Sequence, residues 1–492
     1  MKANERKNAT GLAERSQEES PKIRVPARII RLLALAAIYL TFAYALPRPG
    51  AVTPAGWRST GVFLSIIAGF MLRPLAPAAL IVIGVPLFAL AGGLPSTRVL
   101  SGFASSAVWL VVAAMLFSRV LADTGLARRI ALFFVRHFGR SSLGVSYSLV
   151  LSDVVLAAGI PSITARSGGI ILPIARSVAQ LFGSHPGGTE SLLGSFLLTV
   201  VYQSSAVACA MFLTGQASNV LAAGLARQVT GINITWSRWF LAALVPGVVS
   251  CLMIPYLVYR MLPPLIRRTP EAVDFACHEL SEMGPMSRAE KITSAVFVGV
   301  CLLWITSAWH GLEVTVVAFV GLAVLLITNV LEWETALRER SVWDMFVWYG
   351  GLITMGEILN ETGSTKAFAA RVGDWLGGMG WLIALIVTLL IYYYSHYAFA
   401  SITTHVLAMF PAFTTMLVAL GAPPALVVYS LACLANLTAG LTHYGTTTGP
   451  IVFAENYVAL GDWWRVGLAA SIVNLAIWLT VGFGWWKLLG LW

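Results

Sequence analysis

Two short phrases, Pro161-Ser162-Ile163-Thr164-Ala165-Arg166 and Ala400-Ser401-Ile402-Thr403-Thr404-His405, decide how this chain is read. Ser401 follows Ser162 by 239 residues, and the phrases run on to Pro173 and Pro411. Each is Ser-Ile-Thr, one further residue, then a cationic or protonatable side chain. Each lies in an apolar stretch interrupted by Gly or Pro. Paired, interrupted, polar-tipped segments in two halves of a membrane protein point to a transported ligand's site.

Composition supports that setting. Of 492 residues, 58% are hydrophobic and only 11% are charged, with a mean hydropathy of +0.80. A soluble domain carries about 25% charged residues. This chain lacks the polar surface to stay in water, so a polytopic membrane protein is expected. The net charge of +10 is read as basic loops on the cytoplasmic face. The sequence holds none of the aromatic-basic interleaving of a nucleic-acid binder. Cys209, Cys251, Cys277, Cys301 and Cys433 have no metal-site spacing and are read as small buried hydrophobes.

Outward from the two phrases, the chain divides into matching halves. Residues 1–28 are a polar, mixed-charge cytoplasmic tail. Residues 29–259 form a first repeat. Its spans are expected at 29–46, 57–72, 76–94, 105–121, 192–213 and 239–259, with a re-entrant hairpin at 142–182. Residues 260–291, with Arg260, Arg267, Arg268, Arg288 and Lys291, are a cytoplasmic linker carrying an amphipathic helix. Residues 292–492 form the second repeat, with spans at 292–308, 312–330, 343–360, 424–440 and 465–487 and a hairpin at 380–420. The fold class is therefore all-α, with about eleven transmembrane helices and two hairpins. Further landmarks recur: Val108-Trp109 with Val347-Trp348, and Asp123-Thr124-Gly125 with Glu361-Thr362-Gly363, at offsets of 239 and 238. Basic residues at 2–31, 119–140 and 260–291 place the N-terminus inside, and an odd number of spans places the C-terminus outside. The halves are then inverted, with their tips meeting near mid-membrane.

The tips carry the chemistry. A turn at membrane depth leaves backbone N–H groups unpaired, and the start of the returning helix is partially positive, so it favours an anion. The hydroxyls of Ser162, Thr164, Ser401 and Thr403 can each donate to a carboxylate oxygen. Two facing cradles suit a dicarboxylate. Arg166 and His405, ionisable groups inside apolar segments, are candidate charge-compensating residues. The alternatives are a structural ion pair of Arg166 with Asp153, and plain helix packing for His405. His443 and Tyr444 are further candidate contacts. Asn436 reads as a helix–helix hydrogen bond, Glu357 as a weak coupling candidate, and most of the 17 Trp residues as interfacial anchors.

Ser152-Asp153 leading to Pro161–Arg166, then Ser401–His405, then Thr442-His443-Tyr444-Gly445-Thr446 carry a resemblance. Over most of residues 30–492 the chain resembles the divalent anion:sodium symporter family, in its branch of citrate/succinate, tartrate/succinate and 2-oxoglutarate/malate exchangers. The resemblance implies a homodimer whose transport domain moves against a static scaffold, the elevator mechanism. It also implies substrate contacts from Ser162, Ile163 and Thr164, from Ser401, Ile402 and Thr403, and from Thr214, Gly215, Asn219, Gly445 and Thr446. Ile163 and Ile402 stand where the family usually has Asn. That removes oxygen ligands for sodium.

The expectation is an inner-membrane secondary carrier of di- or tricarboxylates, with no cofactor and no metal, exchanging one anion for another without sodium. Sodium-coupled symport on the same fold is the alternative. Neither His-Glu-x-x-His, Gly-x-Ser-x-Gly nor a Walker loop occurs, so an intramembrane enzyme is disfavoured. An anion channel is the other rival, to be told from a carrier by saturation and counterflow.

Overall fold

A computed structural model describes residues 25–367, 370–371, 380–399 and 401–492. Ala400, at the head of the second phrase, lies outside them, as do most of the N-terminal tail and part of 368–379. Among the described residues the chain is helical, with no strand and one isolated bridge, Ser141 to Arg268.

Helices α1 (Val25–Leu40), α2 (Pro54–Leu72), α3 (Pro77–Gly92) and α4 (Ser106–Asp123) open the first half. An amphipathic α5 (Leu126–Phe138) leads into the first hairpin. It comprises α6 (Ser142–Ala157), an irregular turn at 158–163, a π-wound segment Thr164–Ile171 and α7 (Leu172–Leu181). Next come α8 (Gly194–Met211), a break at 212–216, α9 (Ala217–Thr230) and α10 (Trp236–Met261). The linker holds α11 (Pro270–Glu282).

The second half runs α12 (Arg288–Ile305), α13 (Val314–Ile327) and α14 (Arg340–Glu361). Its hairpin is α15 (Trp381–Ser395), a turn at 396–399 and α16 (Ile402–Ala419). It closes with α17 (Pro424–Leu437), a break at 438–447, α18 (Thr448–Ala454) and α19 (Leu460–Ile477). Among the described residues, eight helices are both long and apolar enough to cross a membrane, and four shorter apolar ones accompany them. Every expected span coincides with a helix, so the chain is a multi-pass α-helical membrane protein.

The repeated landmarks have a physical cause. Asp123-Thr124-Gly125 and Glu361-Thr362-Gly363 both end a helix, with Thr as C-cap and Gly in the left-handed region, at φ 80° and 82°. Only glycine takes that conformation without steric cost. The Val-Trp pairs lie on α4 and α14, which pack together, with Trp109 against Phe346 at 5.2 Å between ring centroids.

Not every tryptophan sits at an interface: Trp236, Trp239, Trp304, Trp463, Trp478 and Trp486 are fully buried. Five of these six bury an indole N–H with an acceptor, for example Trp239 to the Ala210 carbonyl at 2.9 Å. A hydrogen-bonded indole is tolerated in an apolar interior, so composition alone cannot separate it from an anchor.

Candidate functional site

The irregular segments at 158–163, 212–216, 396–399 and 438–447 converge. The Ala217 N–H donates to the Pro161 carbonyl at 3.2 Å, and the Ile163 N–H to Gln216 Oε1 at 3.3 Å. These join the first turn to the first break. Thr164 Oγ1 lies 2.6 Å from Thr447 Oγ1 and 3.1 Å from Thr448 Oγ1, joining the first hairpin to the second break. The second turn meets that break through His396 Nε2, 2.9 Å from the Gly445 carbonyl, and the Tyr444 hydroxyl, 3.2 Å from the Tyr397 carbonyl. Asn436 Nδ2 donates to Asn219 Oδ1 at 2.8 Å and ties α17 to α9.

Both Ser-Ile-Thr phrases run from the end of the turn into the start of the returning helix. Ser162 Oγ accepts from the Ala165 N–H at 3.2 Å, and Ser401 Oγ from the Thr404 N–H at 3.5 Å. Each serine is thus an N-cap, satisfying one donor the helix start leaves free. Its own O–H remains available. Ser162, Thr164, Ser401 and Thr403 are half-buried, and Thr447, which the sequence reading missed, is exposed. The Thr164 and Thr447 hydroxyls bond each other, and those of Ser162, Ser401 and Thr403 donate to no protein acceptor among the described residues.

Other expected contacts are spent within the protein. Ile163 and Ile402 are 2% and 3% exposed, so they fill apolar space. Thr214 Oγ1 donates to the Ala158 carbonyl at 2.5 Å and accepts from Trp236 Nε1 at 2.9 Å. Asn219 Nδ2 donates to the Cys209 and Phe212 carbonyls, each at 2.8 Å, closing the broken end of α8. Thr446 Oγ1 accepts from the Gly449 N–H at 3.2 Å. The His443 ring packs on Tyr444 and Phe453.

Arg166 requires a correction. It is 0% exposed. Its Nε donates to Asp153 Oδ1 at 2.7 Å. Nη1 donates to the Ile160 carbonyl at 2.6 Å and the Gly215 carbonyl at 2.9 Å, and Nη2 to Cys209 Sγ at 3.1 Å. Ser167 Oγ donates to Asp153 Oδ2 at 3.2 Å. The guanidinium therefore faces the protein on every side, and Asp153 neutralises it. The structural pair is the reading that geometry supports, because an unpaired buried arginine would cost several kcal/mol. Cys209 is a ligand of this cation rather than a bland hydrophobe. The residue ends the carbonyl gap between the first turn and the first break, at the electronegative end of α8.

His405 is also 0% exposed. Its ring stacks on Tyr392 at 4.3 Å, and Nε2 lies 3.1 Å from Ser395 Oγ. His396, absent from the sequence reading, is equally buried and sits 5.1 Å from it between ring centroids. The signal for His396 was present: it stands nine residues before His405 in an apolar run. Tyr202 was missed as well. Its hydroxyl donates toward the Ala439 and Thr442 carbonyls at 2.7 and 2.9 Å, holding the second break. Glu357 meets Arg98 at 3.3 Å and Gln228 Nε2 at 3.2 Å, which joins α14 to α9.

Two crevices border the site. One, about 890 Å³, lies between α4, the 307–315 connection and the α9–α10 region, with Leu213, Arg227 and Arg238 in its wall. The other, about 550 Å³, separates Asp123 and Arg128 from Gly169, Pro173 and Ser177 of the first hairpin. Among the described residues no group of three His, Cys, Asp or Glu side chains is placed to hold a metal.

A family model described as the sodium:sulfate symporter transmembrane region matches residues 26–492. YflS of Bacillus subtilis (strain 168), which carries the provisional name of a malate transporter, is 41% identical over 466 residues, 94% of this chain and 97% of its own. Dicarboxylate transporter 1, chloroplastic, of Arabidopsis thaliana is 42% identical over 450 residues, 91% of this chain and 81% of its own. Among solved structures, the YdaH transporter of Alcanivorax borkumensis shares the fold at a TM-score of 0.53 and 16% identity, covering 79% of this chain and 88% of that one. With the family model spanning nearly its whole length, and with the tip motifs in the order described, this chain belongs to the divalent anion:sodium symporter family of membrane transporters.

Proposed function

We propose that the protein is a sodium-independent antiporter of dicarboxylate anions, moving its tip-bearing segments against the remaining helices in an elevator step. The observation that carries sodium independence is the seat of Arg166. Its guanidinium bridges the Ile160 and Gly215 carbonyls beside the Asp153 carboxylate. Carbonyl oxygens of a hairpin turn and a helix break, with a buried carboxylate, form a ring that suits a small monovalent cation. Here that ring is filled by a cation tethered to the chain, which cannot dissociate with the substrate.

The hydroxyls of Ser162, Thr164, Ser401, Thr403 and Thr447 offer donors to two carboxylates. The names of the relatives support the substrate class: malate for the bacterial one, dicarboxylate for the chloroplast one. An empty site leaves these hydroxyls and the helix-start N–H groups without a ligand, at about 1–3 kcal/mol for each one desolvated. A carrier that is costly to move empty favours exchange.

The two crevices flank the tip-bearing segments and support an elevator displacement. The pairs Arg128–Glu279 and Arg129–Glu290, the latter at 2.7 Å, bring α5 and the linker together on one face. With the basic residues of both assigned to the cytoplasmic side, the reading includes an N-terminus inside, a C-terminus outside and inverted halves. The homodimer and the inner-membrane location rest on the family resemblance. The test is labelled malate uptake into proteoliposomes, with and without internal malate, in sodium and in choline. Uptake that requires internal malate and is equal in both salts is expected. Uptake that needs sodium and ignores internal malate would establish the sodium-coupled symporter instead.

A further inference from the structure

The second tip holds a pair of buried histidines whose basic nitrogens face no donor. His396 Nε2 contacts the Gly445 carbonyl, which can only accept, so the proton of the neutral ring sits on Nε2. Ser395 Oγ donates to the Tyr392 carbonyl at 2.8 Å, so its lone pair accepts from His405 Nε2–H. In both rings Nδ1 is therefore a bare lone pair. Both Nδ1 atoms are buried without a hydrogen-bond partner. A buried polar atom left unsatisfied is unusual and calls for a function.

Among the described residues, the elements packed around the rings hold no unpaired counter-charge; α19, whose Trp464 meets Tyr397 of the turn, carries Asp462 paired with Arg465 at 2.8 Å. The titratable side chains on α15 and its turn are Tyr392, Tyr393, Tyr394 and Tyr397. Those on the break are His443 and Tyr444, and α17 adds Tyr429 and Cys433. Across the packed faces of α2 and α9 stand Arg58, which donates to the Ala91 carbonyl, and the exposed Arg227. No Asp or Glu lies on α2, α9, α15, α16, α17, the second turn or the second break. A proton on either ring would be uncompensated in the empty site. Two protons on rings 5.1 Å apart would repel strongly in a low-dielectric interior.

We propose that His396 and His405 form a single-proton site that fills when an anion occupies the tips and empties when it leaves. The proposal rests on the anion-exchange reading above. With Arg166 already neutralised by Asp153, this proton supplies the positive charge that the first tip does not. The proton adds to an Nδ1 lone pair, and the incoming carboxylate is its counter-ion. Proton and dianion then strengthen one another's binding by the same factor.

The experiment is calorimetric titration of L-malate into the purified full-length protein in nanodiscs, between about pH 6.5 and 8.5, where both carboxyls of the ligand are ionised. For the wild type, affinity is expected to fall by up to about tenfold per pH unit between the pair's titration in the empty site and its titration in the occupied site, the slope for one linked proton. Repeating it in buffers of different ionisation heat should show uptake approaching one proton per bound malate. His396→Gln keeps a donor to Gly445, and His405→Gln one to Ser395. The double variant should bind malate with pH-independent affinity and no proton uptake. Flat wild-type affinity, or a double variant that keeps the slope, overturns the histidine site while leaving carrier function intact. Absence of malate binding at every pH overturns the exchange reading together with it. The buffer-dependence of the wild type decides the matter even if the variants do not fold.

Discussion

Asp153→Asn should cripple the protein by leaving Arg166 charged and sealed in. The change is isosteric: the Asn oxygen can still accept from Nε, its amide nitrogen must donate to Ser167 Oγ where the carboxylate accepted, and the negative charge is lost. Arg166 has no exposed surface and no second carboxylate partner among the described residues. Opposite charges about 4 Å apart attract by about 4 kcal/mol at an effective dielectric of 20. Removing one member of a buried pair is observed to cost about 3–5 kcal/mol, so the two routes to the magnitude agree. The first turn should loosen, because the guanidinium also ties the Ile160 and Gly215 carbonyls together. The assay is thermal unfolding in detergent, with malate counterflow measured on the same samples. The single variant should unfold well below the wild type and lose most exchange. Asp153→Asn combined with Arg166→Gln restores neutrality and should recover much of the lost stability, a coupling that a double-mutant cycle reads directly. Unfolding of the single variant within about 0.5 kcal/mol of wild type, or no recovery in the double, would refute the reasoning.

Asn219→Ala should destabilise by about 2–4 kcal/mol, because it orphans the Cys209 and Phe212 carbonyls and the Asn436 amide; thermal unfolding checks it, and Asn436→Ala should add little on top. Thr164→Val keeps the shape but removes the hydroxyl that meets Thr447 and Thr448, so the malate KM should rise several-fold with little change in unfolding temperature. In Gly215→Ala the added methyl would sit 2.6 Å from the Cys209 carbonyl oxygen, so the break must shift and exchange should be lost in the proteoliposome assay. Glu357→Gln breaks a pair that is 31% exposed on each side, so its stability cost should stay below about 1 kcal/mol; a larger change would show that the α14–α9 contact carries more than an ion pair.

Much of the architecture could be read from the chain alone, for a physical reason. A bilayer demands long apolar helices and tolerates irregular backbone only where it lines protein or a cavity. Composition therefore announced the spans, and Gly and Pro inside apolar runs announced the turns. The Thr-Gly helix ends at Thr124 and Thr362 repeat because a left-handed cap needs glycine. The hydroxyls of Ser162, Thr164, Ser401 and Thr403 were legible for the same reason: polar atoms in an apolar segment need partners.

The sequence could not decide which polar atoms are free. Thr214 and Asn219 look like ligands in a list of motifs, but folding spends them on the Ala158, Cys209 and Phe212 carbonyls. Spacing allowed Arg166 either to face a substrate or to pair with Asp153, and only the close approach of α6 to the returning helix chose the pair. Nor could it place the Gly445 carbonyl, from a distant segment, against His396. Helical periodicity fixes what neighbours along one segment share. Which segments meet, and so which charges cancel and which lone pairs stay bare, is set by long-range packing that only the tertiary structure contains.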